Sequence, residues 1–181
     1  MKKIDNIFPI YRVSNFSFSH VFKKEKIISQ ILKNKKYHPS QGYSYPIYDD
    51  CNDYFKNLYL KYYNYCFKKF KFTVDPARNK TTCWTYVSNK DEFSEYWHNH
   101  IRTSTINGVY YFNIPKNNTS IDFELDGKIL TYHPKQNELI IFPNYLNHKP
   151  NRCYDDGHRI SINMEIICKE TSQELFNRLS R

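Results

Sequence analysis

The 181-residue chain carries 27 Lys and Arg against 18 Asp and Glu, a formal charge of +9, and 18% of its residues are aromatic. That aromatic load excludes a disordered polar chain, the length suits one domain with a sizeable core, and no apolar run approaches a membrane span. The charge admits nucleic acid, an acidic peptide, or nothing beyond a lysine-rich, AT-biased coding habit.

The start "MKKIDNIFPIYRV" has the basic residues of a signal peptide without its apolar run. Five cysteines, Cys51, Cys66, Cys83, Cys153 and Cys168, form no CxxC and leave one odd in any disulfide scheme, so a reduced, cytoplasmic protein is expected. "NNTS" (117–120) matches a glycosylation acceptor that would be idle there.

Residues 7–16, "IFPIYRVSNF", alternate enough to predict an opening strand. In 23–37, Ile27, Ile28, Ile31 and Leu32 recur at helical spacing among lysines, which predicts an amphipathic helix. "HPSQGYSYPIYDD" (38–50) reads as a loop at the entrance of the molecule. Over 51–70, Tyr54, Phe55, Leu58, Tyr62, Tyr65 and Cys66 give a second helix, its aromatics read as core contacts. Six short β-branched or aromatic runs follow, at 81–89, 108–115, 120–125, 128–133, 138–143 and 159–168. Their close spacing implies a sandwich or barrel. Thr171 and Glu174 stand at capping-box spacing and predict a closing helix over 171–180.

Three places in the β region carry chemistry. "WHNHI" puts His98 and His100 at i and i+2, on one face if the segment is extended, with Asn99 on the other. A lone pair of this kind is ordinarily two loop histidines, but His148 follows an apolar strand and an "FPN" turn, at a strand edge where it can complete a three-ligand metal site. In "RISIN", Arg159, Ser161 and Asn163 share one strand face, opposite Ile160 and Ile162. A buried arginine is costly unless it meets an anion, and its fork fits a carboxylate; the alternative is an edge strand whose polar face meets water. His20, His38, His133 and His158 have no convergent partner in the sequence.

The ordered motifs His-x-His, "GVYYFNIP", "ELIIFPNYLNH" and "HRISINME" together resemble the iron(II) and 2-oxoglutarate dependent dioxygenases, in particular a small group related to prolyl hydroxylases. The likeness covers about Trp84 to Ile167. It implies an α+β, mainly β fold: a double-stranded β-helix (jelly-roll, cupin-like) core with N-terminal helices packed outside. The whole chain would be one oxygenase-like domain, with residues 1–80 as strand plus helical support, 81–168 as the β core and 171–180 as the C-terminal helix.

The resemblance also implies an enzyme using Fe(II), 2-oxoglutarate and O2 to hydroxylate a C–H bond, releasing succinate and CO2. By position, His98 and His148 match its first and last metal ligands. Arg159 matches the residue holding the far carboxylate of 2-oxoglutarate, Ser161 its hydroxyl neighbour, and Tyr111 a tyrosine reaching the same carboxylate. The period-two rule sends only one of Tyr110 and Tyr111 inward. Two positions depart from the pattern. His100 stands where an aspartate is usual, giving three histidines, as in related small members. Asn137 stands in a turn that usually has Gly, and Asn tolerates left-handed backbone. The substrate is left open: a small molecule, a peptide or protein residue, or nucleic acid, with no membrane partner. Two other readings remain, a basic non-catalytic binding module on the same fold and a cupin-type three-histidine dioxygenase without 2-oxoglutarate.

Overall fold

The computed structural model describes residues 1–16, 24–38, 42–46, 53–75, 77, 82–115, 119–154 and 156–179. Two antiparallel sheets pack on each other. The strands are β1 (Lys2–Lys3), β2 (Tyr11–Val13), β3 (Lys36–His38), β4 (Gly42–Pro46), β5 (Thr82–Ser88), β6 (Ile106–Asn113), β7 (Ile121–Leu125), β8 (Lys128–Tyr132), β9 (Leu139–Pro143), β10 (Asn147–Pro150) and β11 (Arg159–Ile166). The larger sheet runs β1-β2-β9-β6-β11-β5-β4-β3 and the smaller β10-β7-β8. Helices α1 (Lys24–Asn34), α2 (Asp53–Phe70) and α3 (Ser172–Arg178) complete the chain.

The central strands β6, β9 and β11 are covered on both faces, so they read as near-continuous apolar runs rather than clean alternation. Their two faces serve different cores. One core holds Tyr110, Phe112, Ile160, Ile162 and Met164 against the helices, where Ile27 and Ile31 of α1 and Phe55, Leu58 and Tyr62 of α2 are buried. Each such side chain contributes on the order of 2 kcal/mol by leaving water. The other lies between the sheets and gathers Val109, Tyr111, Ile121, Phe123, Ile140, Phe142 and Leu146. Gly108 lets α2 sit close: a Cβ there would lie 2.4 Å from the Tyr62 ring. Tyr62 donates to the Ile106 carbonyl (3.2 Å).

α3 begins as its sequence requires. Thr171 Oγ1 accepts from Glu174 N (3.3 Å) and Thr171 N donates to Glu174 Oε2 (2.7 Å), a complete capping box. Asn137 adopts the left-handed conformation expected of it, φ +64°, and its Oδ1 accepts from the Tyr110 hydroxyl (2.8 Å).

The expected opening strand is shortened to Tyr11–Val13. Asp5 Oδ1 accepts from Ile7 N (2.7 Å) and Phe8 N (3.1 Å), folding the chain into a turn, and Asn15 at φ +55° bends the other end. The predicted 38–50 loop contains strand β4, which pairs with β3 and with β5. That pairing is non-local, and no local pattern announced it. Cys66, Cys83, Cys153 and Cys168 are free and buried; Cys51, His20 and the acceptor asparagines 117 and 118 lie outside the described residues. Among the described residues no helix is long and apolar enough to cross a membrane.

Candidate active site

The three histidines meet at one mouth of the inter-sheet space. His148 lies within β10, the edge strand of the smaller sheet, where it pairs with Phe123 of β7. Its other side is bridged to His98: His98 N donates to His148 O (3.0 Å) and His148 N to His98 O (2.9 Å). The His98 segment is therefore extended, although it makes one bridge and not a full strand. Asn99 turns to the opposite face, where its Nδ2 donates to Asn147 Oδ1 (2.9 Å). His100 N donates to the carbonyl of Asn144, in the "FPN" turn, and the chain then folds back through Thr103 N and Ser104 N, both donating to His100 O.

Ring centroids stand 4.2 Å (His98–His148), 5.1 Å (His100–His148) and 5.4 Å (His98–His100) apart. One ligand nitrogen from each lies within 4.8 Å of the others. Hydrogen bonds choose which. His98 Nδ1 stands 3.0 Å from the Tyr96 carbonyl and His148 Nδ1 3.1 Å from that of Leu146. A carbonyl only accepts, so both Nδ1 atoms carry the proton and both Nε2 atoms are free. His100 Nδ1 meets the Glu165 carboxylate at 2.7 Å, which frees the third Nε2 in the same way. Burial, reinforced by the two neighbouring imidazoles, holds His148 well below the ordinary histidine pKa. Crowding of its ring by protein also lowers His98, against the upward pull of the Tyr96 carbonyl. Neutral imidazoles with outward lone pairs suit a divalent first-row metal such as iron, nickel or zinc.

The inward face of β11 supplies the rest. Arg159, Ser161, Asn163 and Glu165 alternate with the helix-side Ile160, Ile162 and Met164, and lie in register with Ser88, Tyr86, Trp84 and Thr82 of β5. Arg159 is 1% exposed, yet no carboxylate pairs with it among the described residues. Its Nε donates to Ser88 Oγ (3.0 Å), its Nη1 to the Ser120 carbonyl (3.1 Å), and its guanidinium lies 5.2 Å from the Tyr86 ring centroid. Nη2 is buried and has no partner. A buried charge with a spare donor is strongly unfavourable unless an anion completes it.

Tyr111, not Tyr110, joins this inter-sheet space, opposite Ser161 in register. Burial raises its phenol pKa while the Arg159 guanidinium pulls it down, so the two groups sense each other. A register shift between Ile160 and Ser161 in the β11–β6 pairing falls beside this cluster. Asn163, between Arg159 and Glu165 on this face, is half-buried.

Three residues of the neighbourhood escaped the sequence reading. Glu165 continues the Arg159, Ser161, Asn163 alternation, and following that face two residues further would have found it. Thr119, whose buried hydroxyl has no partner, immediately precedes the Ser120 carbonyl held by Arg159. Asn144 ties the turn to the histidine loop through its carbonyl and through Nδ2, which donates to Ser104 O (2.7 Å). Neither Thr119 nor Asn144 had a local signal.

No protein-family model matches the sequence, and no curated protein is similar to it. Solved structures are. A prolyl-4-hydroxylase from Pseudomonas putida superposes with a TM-score of 0.61 at 12% identity, over 91% of this chain and 95% of its own. A Trichoplax adhaerens prolyl hydroxylase, in complex with a peptide of the hypoxia inducible factor oxygen degradation domain, gives 0.65 at 13%, over 93% and 86%. HygX from Streptomyces hygroscopicus, with nickel and 2-oxoglutarate bound, gives 0.66 at 10%, over 91% and 85%. The fold is that of the 2-oxoglutarate and iron(II) oxygenases. The double-stranded β-helix is thus the core of this chain, with helices outside it.

Proposed function

We propose that the protein is an Fe(II)- and 2-oxoglutarate-dependent oxygenase that hydroxylates a C–H bond of a peptide side chain or small molecule. The observation that carries this is the pairing, in one inter-sheet space, of three convergent imidazoles with a buried guanidinium whose Nη2 is unpaired. His98, His100 and His148 hold the metal through Nε2. Arg159 receives the far carboxylate of 2-oxoglutarate, with Ser161 and Tyr111 offering hydroxyls beside it. Structural neighbours hold nickel with 2-oxoglutarate, or a peptide, on the same fold. When iron is bound, such a centre couples decarboxylation of 2-oxoglutarate to succinate with insertion of oxygen into the substrate.

The chain's own contribution is placement and exclusion of water. Phe123 and Phe142 wall His148, with ring centroids 6.0 and 4.8 Å from it. Those apolar walls raise the strength of every charged contact inside. The Arg159 fork fixes one end of the cosubstrate, so the other can reach the histidines only in one orientation. The test is succinate formation from 2-oxoglutarate under air with Fe(II) and ascorbate, in the presence of peptide or small-molecule pools. Succinate rising above the no-enzyme level supports the reading. A chain that neither turns over nor binds 2-oxoglutarate removes it.

A further inference from the structure

Glu165 is a buried carboxylate, 3% exposed, and His100 is its sole ion-pair partner among the described residues. Its Oε1 lies 2.7 Å from His100 Nδ1 and 3.1 Å from Thr103 Oγ1, which donates to the same oxygen. The backbone behind it is fixed on three sides. β11 pairs with Thr82 of β5 and with Asn107 of β6 at this residue, and the buried Tyr59 hydroxyl donates to the Glu165 carbonyl (2.9 Å). A rigid, desolvated anion aimed at the back of an imidazole is expensive unless a positive charge lies nearby. Among the described residues neither Lys nor Arg supplies one. A cation on the far side of the His100 ring would.

We propose that Glu165 is a positioning residue for the metal centre: it fixes His100 with the proton on Nδ1 and supplies, through the imidazole, the negative charge that three neutral ligands lack. The inference rests on the three-histidine metal reading. His98 and His148 are oriented by backbone carbonyls, whereas His100 alone is backed by a carboxylate. A hydrogen bond to a carboxylate raises the electron-donating power of the ring more than one to a carbonyl. The anion also adjusts the charge of the site. A divalent ion with three imidazoles carries two positive charges, and with Glu165 the assembly carries one. The carboxylate sits behind the ligand shell, not in it, so every remaining metal position stays open to exchangeable ligands.

Two measurements test this on the full chain with metal alone. Cobalt(II) affinity, by competition with a chromophoric chelator, is compared between the native protein, Glu165→Gln and Asn99→Ala. Outer partners of metal ligands typically contribute about 10–100-fold in affinity, so Glu165→Gln should weaken cobalt at least about tenfold, while Asn99→Ala binds as the native protein does. Glu165→Gln affinity within twofold of native, with native binding intact, overturns the proposal and leaves the metal site standing. Native protein that binds no cobalt overturns both. Because Glu165→Gln can fail to fold, the second measurement uses the native sequence, 15N-labelled at histidine and loaded with zinc. His100, assigned by its loss in His100→Ala, should show a protonated Nδ1 with a strongly downfield proton and a metal-bound Nε2. Metal on Nδ1, or no such proton, overturns the assignment without any variant of Glu165.

Discussion

Arg159→Met removes the buried guanidinium while keeping an unbranched side chain in its space. In the native protein Nε and Nη1 are already used by Ser88 and Ser120, so Nη2 is the donor with no partner inside the fold. Losing one member of a buried, hydrogen-bonded charge pair costs about 2–5 kcal/mol, which at about 1.4 kcal/mol per decade weakens 2-oxoglutarate about 30-fold at the least. Ligand at 100 times its Kd stabilises a protein by about 2.7 kcal/mol; after a 30-fold loss, the same concentration gives about 0.9 kcal/mol. For a domain of this size about 2–4 °C accompanies each kcal/mol, so the cosubstrate should raise the native Tm by about 5–11 °C and that of the variant by under about 4 °C. Thermal unfolding with nickel(II) present, with and without 2-oxoglutarate, reads both shifts. Equal shifts in the two proteins would refute the anchoring role and leave a three-histidine centre that does not use this cosubstrate.

His148→Ala should lose stoichiometric divalent metal while far-UV dichroism keeps its β signature, read by metal analysis after desalting; full metal content in that variant would discard the site. His100→Asp should retain Fe(II), because a carboxylate is an acceptable ligand for it, whereas His100→Ala should lose most of it by the same measurement. The metal-free protein should lose stability as pH falls. His148 has a folded-state pKa depressed by burial below the 6.5 of an exposed histidine, so the unfolded chain takes up a proton there first, and its contribution, intact above pH 6.5, drains away below it. Urea midpoints at pH 7.5 and 5.5 should differ less in His148→Leu than in the native protein.

Much of this site was legible because strand periodicity is a local property. Alternation alone assigned Arg159, Ser161 and Asn163 to one face, and the capping residues of α3 and the left-handed turn at Asn137 depended only on their own side chains. The same rule left Tyr110 and Tyr111 on opposite faces without saying which face was inward. Packing decided it, by burying Tyr110 against the helices and Tyr111 between the sheets. Fifty residues separate His98 from His148, and their contact is a bridge whose register depends on how β10 pairs with β7; nothing near either histidine specifies that. The Glu165 contact with His100, the β3–β4 addition to β5 and the unpaired Nη2 of Arg159 are likewise facts about which groups meet and which do not. Sequence determined the donors, the charges and the face of each strand. Tertiary pairing decided their partners, because distance across a sheet is set by strand order and register rather than by any neighbour along the chain.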